Sequence, residues 1–392
     1  MGGKALSTMK VLSLVVSSLG LATALFGADS AGPVITVRKG TSLEVDVKDI
    51  GGPVGVTATT VLKNDIQLSG VLSLGDAATA TITIGGTATV ASFTGQATEK
   101  TGGVVLHKDY AGETRRSIHQ FANDLIETLT GQRGIALSRV AFVADRTGHK
   151  EICICDYDGA NVLQLTHDNA ISVSPALSTD GRRLAYTGYQ SGYADIYLVD
   201  LGSGTRNRII KFPGTNSGAA FSPDGNHIAC TLSKDGNPEI YVTGINGDSP
   251  FRLTHSRGVE SSPTWSPNGS EIIYSSDQRG NPQLYRISAS GGSGRLLPTG
   301  FGYNTQPNWS PDSRKVAFNV RSGGGFQVAI LELDSGSTHV AVGDGQSPVW
   351  GPDSRHIIFS RGTGLYMFDT VTGRETRLVG DLGRISEPTW SR

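Results

Sequence analysis

The sequence predicts a mainly β fold, namely a six-bladed β-propeller that is closed by its C-terminal strand and preceded by a small α+β domain. Three observations lead to this prediction. One short phrase recurs six times at intervals of 40 to 44 residues, each interval has room for four short strands, and the strand missing from the first repeat is found at the end of the chain. A fixed period of this length is typical of repeat folds.

The recurring phrase combines a short apolar strand, a large apolar anchor residue and a turn, as in SPTWSPNG, which begins at Ser262. A second phrase, typified by EIYVTG from Glu239, occurs once between successive anchors. Each repeat therefore holds more than one strand. The six anchors are Leu177, Phe221, Trp265, Trp309, Trp350 and Trp390.

The repeat around Trp265 divides into four segments with β-branched or aromatic content. Every gap between them carries Gly, Pro, Asn or Asp, which supply the backbone angles that hairpin turns need. Four short strands in about 40 to 45 residues predict one blade of a propeller. The strands, named A to D, are expected at Pro263–Ser266, Glu271–Ser275, Pro282–Ile287 and Gly294–Pro298.

The first repeat has segments for strands B, C and D but no A phrase before them. The segment EPTWS, which begins at Glu387, has the missing pattern. We therefore expect the last strand to complete the first blade, which closes the ring and removes an open sheet edge.

The first 24 residues predict a signal peptide and hence a periplasmic protein. Lys4 and Lys10 accompany an apolar run of 11 residues, Val11–Leu21, and small residues follow, so cleavage is expected after Ala24. The run is too short to cross about 30 Å of hydrocarbon, which disfavours the alternative of a membrane anchor.

Residues 25–133 lack the repeat and predict a small α+β domain, whereas residues 134–392 predict the propeller. Alternating residues indicate strands, among them one over Thr87–Thr94. Apolar residues of Glu113–Thr130 recur at helical spacing and form one stripe, and Gly131 stands where a left-handed helix cap is favoured.

The composition argues against several classes of function. With 34 Lys and Arg against 35 Asp and Glu, and no basic cluster, nucleic acid is disfavoured as a partner. The nucleophile motif of propeller-linked hydrolases, G-x-S-x-G, is absent from the sequence, so we predict that the chain is not an enzyme. No cofactor is expected either, because no phosphate-cradling glycine motif occurs.

Candidate metal ligands have a structural interpretation. His167 and His255 end equivalent strands of two blades without ligand partners at metal-site spacing. The loop that starts at Asp156 lacks the Gly and the Glu that a calcium loop needs. Four Asp residues occupy the same turn of four blades, where Asp bonds the local backbone: Asp180, Asp224, Asp312 and Asp353.

Several segments together resemble the TolB family of periplasmic propeller proteins of the Tol-Pal envelope system. They include FANDLIETLTGQRG, FPGTNSGAAFSPDG and RLTHSRGVESSPTWSPNG, and the likeness extends over about Thr60–Arg392. The resemblance implies that the propeller mouth docks the lipoprotein Pal and that the mature N-terminal segment signals to TolA. By motif it places Thr215, Asn216, Gly218 and Ser261 against Pal, although the family more often has a basic or imidazole residue before that Asn.

The connections from strand D to the next strand A are expected to surround the mouth of the central channel, and they are rich in Asn, Ser, Thr and Gly. Tyr303 and Asn304 add further candidate contacts from one of these connections. The implied role is a link between Pal at the outer membrane and the inner-membrane Tol proteins, which supports envelope integrity and outer-membrane constriction during cell division. The alternative is a propeller that binds a small molecule or sugar in its channel.

We predict that the mature protein begins at Leu25, because the signal peptide is removed during export. Intact-mass analysis of the periplasmic fraction should give the mass of residues 25–392. A species that still carries Val11–Leu21, or one that is extracted only with detergent, would contradict the prediction.

Overall fold

The computed structural model describes residues 42–391 of the chain. The predicted signal peptide and its cleavage site at Ala24 lie outside the described residues. Neither helix within the described range has the length and apolar content of a membrane span.

A five-stranded sheet with two helices precedes the propeller. The sheet has the order β2-β1-β3-β4-β5, and β1 pairs in parallel with both β2 and β3. Residues of both helices share one apolar core with the sheet, which confirms the α+β arrangement. The elements are β1 (Leu43–Val47), α1 (Gly55–Leu68), β2 (Leu72–Leu74), β3 (Ile82–Thr89), β4 (Ser92–Glu99), β5 (Val104–Ala111) and α2 (Thr114–Thr130).

Helix α2 forms where its stripe predicts it. The carboxylate of Glu113 accepts the backbone N–H groups of Arg115 and Arg116, and Gly131 ends the helix with a φ of 69°. The single strand expected over Thr87–Thr94 is wrong. It is a hairpin of β3 and β4 that turns at Val90, which is 75% exposed. No Gly, Pro or Asn marks this turn, so the sequence pattern does not indicate it.

Six antiparallel sheets of four strands each follow, which confirms the six-bladed propeller. In chain order the blades are numbered from the incomplete first repeat. The A strands are β29 (Ile385–Trp390), β9 (Ser172–Leu177), β13 (Asn216–Phe221), β17 (Glu260–Trp265), β21 (Asn304–Trp309) and β25 (Gln346–Trp350). The B strands are β6 (Arg139–Ala144), β10 (Arg183–Gly188), β14 (His227–Leu232), β18 (Glu271–Ser276), β22 (Lys315–Ser322) and β26 (His356–Arg361). The C strands are β7 (Glu151–Asp156), β11 (Asp195–Asp200), β15 (Glu239–Gly244), β19 (Gln283–Ser288), β23 (Gly325–Glu332) and β27 (Gly364–Asp369). The D strands are β8 (Leu163–Gln164), β12 (Arg206–Ile210), β16 (Phe251–Arg252), β20 (Arg295–Leu296), β24 (Thr338–Val342) and β28 (Glu375–Val379).

The last strand closes the ring as expected. Strand β29 pairs with β6, so blade one is built from both ends of the propeller sequence. The indole Nε1 of Trp390 donates to Oγ of Ser138 at 2.7 Å, and the backbone N–H of Arg139 donates to Oγ of Ser391 at 2.8 Å. Trp390 is 5% exposed, and it packs among residues of blades six and one.

Each A strand carries a β-bulge whose central residue has a left-handed backbone, with φ near +50° to +63°. Beyond this residue the alternation of inward and outward side chains restarts, so the strand begins two or three residues earlier than its apolar pattern indicates. Strand β17 accordingly starts at Glu260 rather than at Pro263. The six left-handed residues are Ser174, Gly218, Ser262, Gln306, Ser347 and Glu387.

A buried polar network joins the small domain to blade one. The carboxylate of Asp65 on α1 accepts Nδ1 of His119 at 2.8 Å and the hydroxyl of Tyr157 at 2.7 Å. Arg115 forms ion pairs with Asp156 at the end of β7 and with Asp158 in the turn that follows. Burial raises the pKa of Asp65 above its ordinary value, and the hydrogen bonds from His119 and Tyr157 offset part of this effect.

We predict that Trp390→Ala destabilises the protein by about 3–5 kcal/mol, because it empties a packed site and removes the hydrogen bond that closes the ring. Thermal and urea unfolding measure the change. Val371→Ala is the control, since Val371 is an exposed apolar residue of the same propeller, in the turn after β27. Equal, small effects of both substitutions would mean that Trp390 does not secure the closure.

Candidate functional site

One residue before each A strand lies at the rim of the propeller mouth. In four neighbouring blades the carbonyl oxygen of this residue accepts a backbone N–H from the end of strand B or from the loop that follows it in the same blade, at 2.9 to 3.4 Å. The rim position is thereby tied to a second segment of its blade. The four bonded rim residues are Ile171, Thr215, Val259 and Tyr303, each three residues before the left-handed residue of its A strand, and the same position holds Asp344 in blade six and Arg384 in blade one.

The rim of blades two to four exposes apolar side chains. Ile171 is 46% exposed and Val259 is 44% exposed, while Tyr193 in a neighbouring loop reaches 71%. Exposed aromatic and aliphatic groups on a firmly held loop are typical of protein-binding surfaces. Sequence reasoning missed this part of the mouth because it singled out polar residues. The sequence signal that could have revealed these rim residues is an aliphatic residue directly before the A strand.

Asn216 is a structural residue of the mouth. Its side chain is fully buried, and Nδ2 donates to the carbonyl oxygens of Phe212 at 2.8 Å and Ala194 at 2.9 Å. Oδ1 accepts the backbone N–H of Phe212 at 3.1 Å. Because Ala194 belongs to the preceding blade, Asn216 joins two blades. The resemblance places Asn216 against Pal, but its side chain is not exposed, because strand β13 begins at this residue and turns the side chain inward.

Asn304 occupies the equivalent position two blades further and is also fully buried. Its Nδ2 donates to Oε1 of Gln283 at 2.7 Å and to the carbonyl oxygen of Phe301 at 3.0 Å. Asn304 was a candidate contact, but its side chain, like that of Asn216, is not exposed.

The remaining predicted contact residues are accessible. Thr215 is exposed, whereas Gly218, Ser261 and Tyr303 are partly buried. The ring of Tyr303 meets that of Phe326 at 6.2 Å in an edge-on contact. Gly218 lines the channel behind the rim. The structure thus places Thr215 and Tyr303 on the outer rim, and Ser261 and Gly218 deeper in the mouth.

All six A strands line a central cavity of about 250 Å³. The six left-handed residues face it, and hydrogen bonds link some of them around the ring. Oε2 of Glu387 accepts the backbone N–H of Ser174 at 2.6 Å, and Oε1 of Gln306 accepts the hydroxyl of Ser347 at 3.1 Å. The channel wall therefore carries polar groups. They lie three residues before each anchor, where the repeat pattern gives no sign of a side chain that faces the channel.

The turn Asp residues have the structural role that the sequence indicated. Asp180, for example, accepts the hydroxyl of Ser178 at 2.6 Å and the backbone N–H of Arg182 at 3.1 Å. These hydrogen bonds lower the pKa of Asp180. Asp353 departs from the pattern because its carboxylate contacts Nδ1 of His356 at 2.6 Å. His167 and His255 are exposed at the ends of their strands.

One cluster has the composition of a metal site. Ligand atoms of Asp65, His119 and Asp158 lie within 4.8 Å of one another. Their oxygens already accept hydrogen bonds from Tyr157 and from Arg115, and a guanidinium beside a carboxylate competes with a cation. The cluster therefore fits the polar network between the small domain and blade one.

Comparisons with known proteins agree with this architecture. The model of the family described as the TolB beta propeller domain matches residues 126–392. A solved structure of TolB from Acinetobacter baumannii superposes with a TM-score of 0.79 at 24% identity, and the match covers 90% of this chain and 97% of that one. At this identity the likeness concerns the fold.

Curated relatives match over shorter stretches. A Protein TolB homolog from Chlorobium chlorochromatii is 32% identical over 185 residues, which is 44% of this chain and 42% of the relative. A Tol-Pal system protein TolB from Desulfosudis oleivorans is 43% identical over 89 residues, or 22% and 20% of the two chains. The matched segments therefore span less than half the length of these relatives.

We predict that Asn216→Ala destabilises the fold by about 1–3 kcal/mol, because the backbone N–H and carbonyl groups of Phe212 lose their side-chain partner and the carbonyl of Ala194 keeps only the backbone N–H of residue 216. Chemical denaturation measures the effect. Thr215→Ala is the matched control one residue away, and it should change the free energy of unfolding by less than about 0.5 kcal/mol. An unchanged stability of Asn216→Ala would refute its role as the link between blades.

Proposed function

Because this chain belongs to the TolB β-propeller family, we propose that it is a non-enzymatic, periplasmic interaction component of the Tol-Pal system. The single observation that carries the proposal is the propeller mouth, where rim residues tied to a second segment of their blade expose both apolar and polar groups. Such a surface suits recognition of another folded protein.

We propose that the mouth docks the lipoprotein Pal. Ile171, Val259 and Tyr303 would supply the apolar contacts, and Thr215 would supply a hydroxyl beside them. The buried Asn216 and Asn304 would contribute indirectly, because they fix the backbone from which the rim residues project. A preformed rim supports affinity, since little ordering entropy is lost when the partner binds.

The small domain is attached near the opposite face of the ring. Its contacts reach the turn after β7 through Asp158 and the turn before β26 through Arg355, whose Nη2 donates to the carbonyl oxygen of Gly70 at 2.6 Å. Within residues 42–391 this arrangement keeps the small domain away from the mouth, where Pal would dock. We propose that the mature N-terminal segment signals from the small domain to TolA. Pal would then be linked to the inner-membrane Tol proteins, which supports envelope integrity and outer-membrane constriction during cell division.

The second candidate function is the binding of a small polar molecule or sugar in the channel. The observation that favours it is the polar wall formed by Gln306, Glu387 and the neighbouring serines. The two functions differ in their requirements. A channel ligand would depend on Glu387, whereas Pal docking would depend on the outer rim.

We predict that the double variant Ile171→Ala/Tyr303→Ala weakens binding of the periplasmic domain of Pal by about 2 kcal/mol, which is roughly 30-fold, because central apolar contacts dominate interface energetics. Isothermal titration calorimetry measures the affinity, and circular dichroism verifies the fold.

The control for this experiment is Arg314→Glu, which reverses the charge of an exposed residue in a turn on the opposite face. It should leave the affinity unchanged. Docking at the mouth is excluded if the double variant binds normally while Arg314→Glu does not. A loss caused by Glu387→Gln alone would favour the channel ligand.

A further inference from the structure

Equivalent residues meet on the mouth side at four junctions between neighbouring blades, those from blade one to blade five. There the first residue of strand C in one blade faces the first residue of strand A in the next. Between blades two and three the pair is Asp195 with Asn216, whose Nδ2 lies 3.4 Å from Oδ1 of the acid. Between blades four and five it is Gln283 with Asn304. In both junctions an amide N–H group can donate to the oxygen opposite.

The junction between blades three and four departs from this chemistry, because it pairs two carboxyl groups. Glu239 begins β15 and Glu260 begins β17, and the side chains of both are fully buried. Ser256 bonds both carboxyl groups, through its backbone N–H to Glu239 and through its hydroxyl to Glu260, and so holds the two acids close together. Where those two junctions have an amide donor, this one has an acid that can donate only when it is protonated.

The hydrogen bonds of this pair are distributed unevenly over its four oxygens. Oε1 of Glu239 accepts the backbone N–H of Ser256 and Nη2 of Arg252, both at 2.8 Å. Oε1 of Glu260 accepts the hydroxyls of Ser256 and Ser276, both at 2.6 Å. Within residues 42–391 neither Oε2 atom has a hydrogen-bond partner, although both are buried. A proton between these two oxygens would satisfy both.

The surrounding groups compensate one charge of the two. Among residues 42–391 the cation paired with these acids is Arg252, beside Glu239. Tyr241 and Tyr274 face it as neutral phenols, and burial raises the pKa of both, that of Tyr241 to about 12. Asp235 lies beyond Tyr241 and pairs with Lys234 at 2.6 Å. With one guanidinium available, one carboxylate is neutralised and the second is favoured in its acid form.

We propose that Glu239 and Glu260 share one proton between their Oε2 atoms, and that this proton holds blades three and four together beneath the mouth loop Ser256–Val259. The loop depends on the pair directly. Ser256 bonds both acids, and Oγ of Ser256 also accepts the backbone N–H of Gly258 at 2.8 Å. Loss of the proton would place two like charges side by side and push the loop outward. The pair is thus a proton-sensitive device at the rim, independent of which partner binds there.

The direction of the pH dependence follows from the two acids. Burial raises the pKa of Glu260 to about 7, whereas hydrogen bonds outweigh burial at Glu239 and lower its pKa. A carboxyl whose pKa is raised by folding stabilises the protein fully below its unfolded value of about 4.5, and this contribution is lost as the pH rises through 7. The critical window is therefore pH 5 to 7.

The direct test is a carbon-13 titration of the glutamate side chains in the intact mature protein, with backbone amides of residues 256–259 followed in the same samples. We expect one glutamate carboxyl to titrate near pH 7 and the loop amides to shift with the same midpoint. Ordinary titration of every glutamate below pH 5, or loop amides that do not move, would overturn the proposal. A midpoint that shifts when a chelator is added would also overturn it, because a cation rather than a proton would then occupy the pair.

A variant provides an independent test. Glu260→Gln supplies a permanent amide donor, as Asn216 does one junction earlier. The ratio of the unfolding equilibrium constants of the original protein and the variant should rise by up to about tenfold per pH unit between pH 5 and 7. Glu151→Gln is the matched control, because Glu151 is the equivalent buried acid of blade one and faces Ser172 across its junction. It should not remove the pH dependence. Equal pH profiles for Glu260→Gln and the original protein would overturn the proposal.

Discussion

The pairing of β29 with β6 is the constraint on which the other features depend. A ring of blades has a channel and a mouth only when its first and last blades are joined. The pairing fixes this joint with a strand ladder, the buried Trp390 and two hydrogen bonds to side-chain oxygens. Blade one also carries the turn that receives the small domain. The pairing of β29 with β6 therefore positions both the channel wall and the turn in which Tyr157 bonds Asp65.

The blades are joined to one another by polar contacts as well as by apolar cores. Side-chain oxygens of one A strand accept backbone N–H groups of the next, as Thr389 does for Leu177 at 3.2 Å and Asn308 does for Trp350 at 2.8 Å. Asn216 adds a link on the mouth side. These contacts make the angle between neighbouring blades specific, since hydrogen bonds tolerate less displacement than apolar packing. A rim formed in this way presents a defined surface before any partner arrives.

The sequence predicts most of the fold because the anchors and turn residues repeat with a fixed period. The helix Glu113–Thr130, the number of blades and the closing strand all follow from such patterns. The beginnings of the A strands could not be predicted, because a serine such as Ser262 gives no sign that its backbone is left-handed. For the same reason the burial of Asn216 and Asn304 was missed. The pairing of Glu239 with Glu260 joins residues of two blades, so only the three-dimensional arrangement reveals it.

The left-handed residues of the channel have a consequence for how this protein could evolve. Outside glycine this conformation is disfavoured by about 1–2 kcal/mol per residue. Five of the six positions nevertheless carry side chains, and only blade three has a glycine, Gly218. Replacing the others by glycine would relieve the backbone and remove the polar groups from the channel wall at the same time. The same five positions therefore affect both the thermal stability of the protein and the chemistry of the channel. Selection for a more stable backbone at these positions would oppose selection for a polar channel wall.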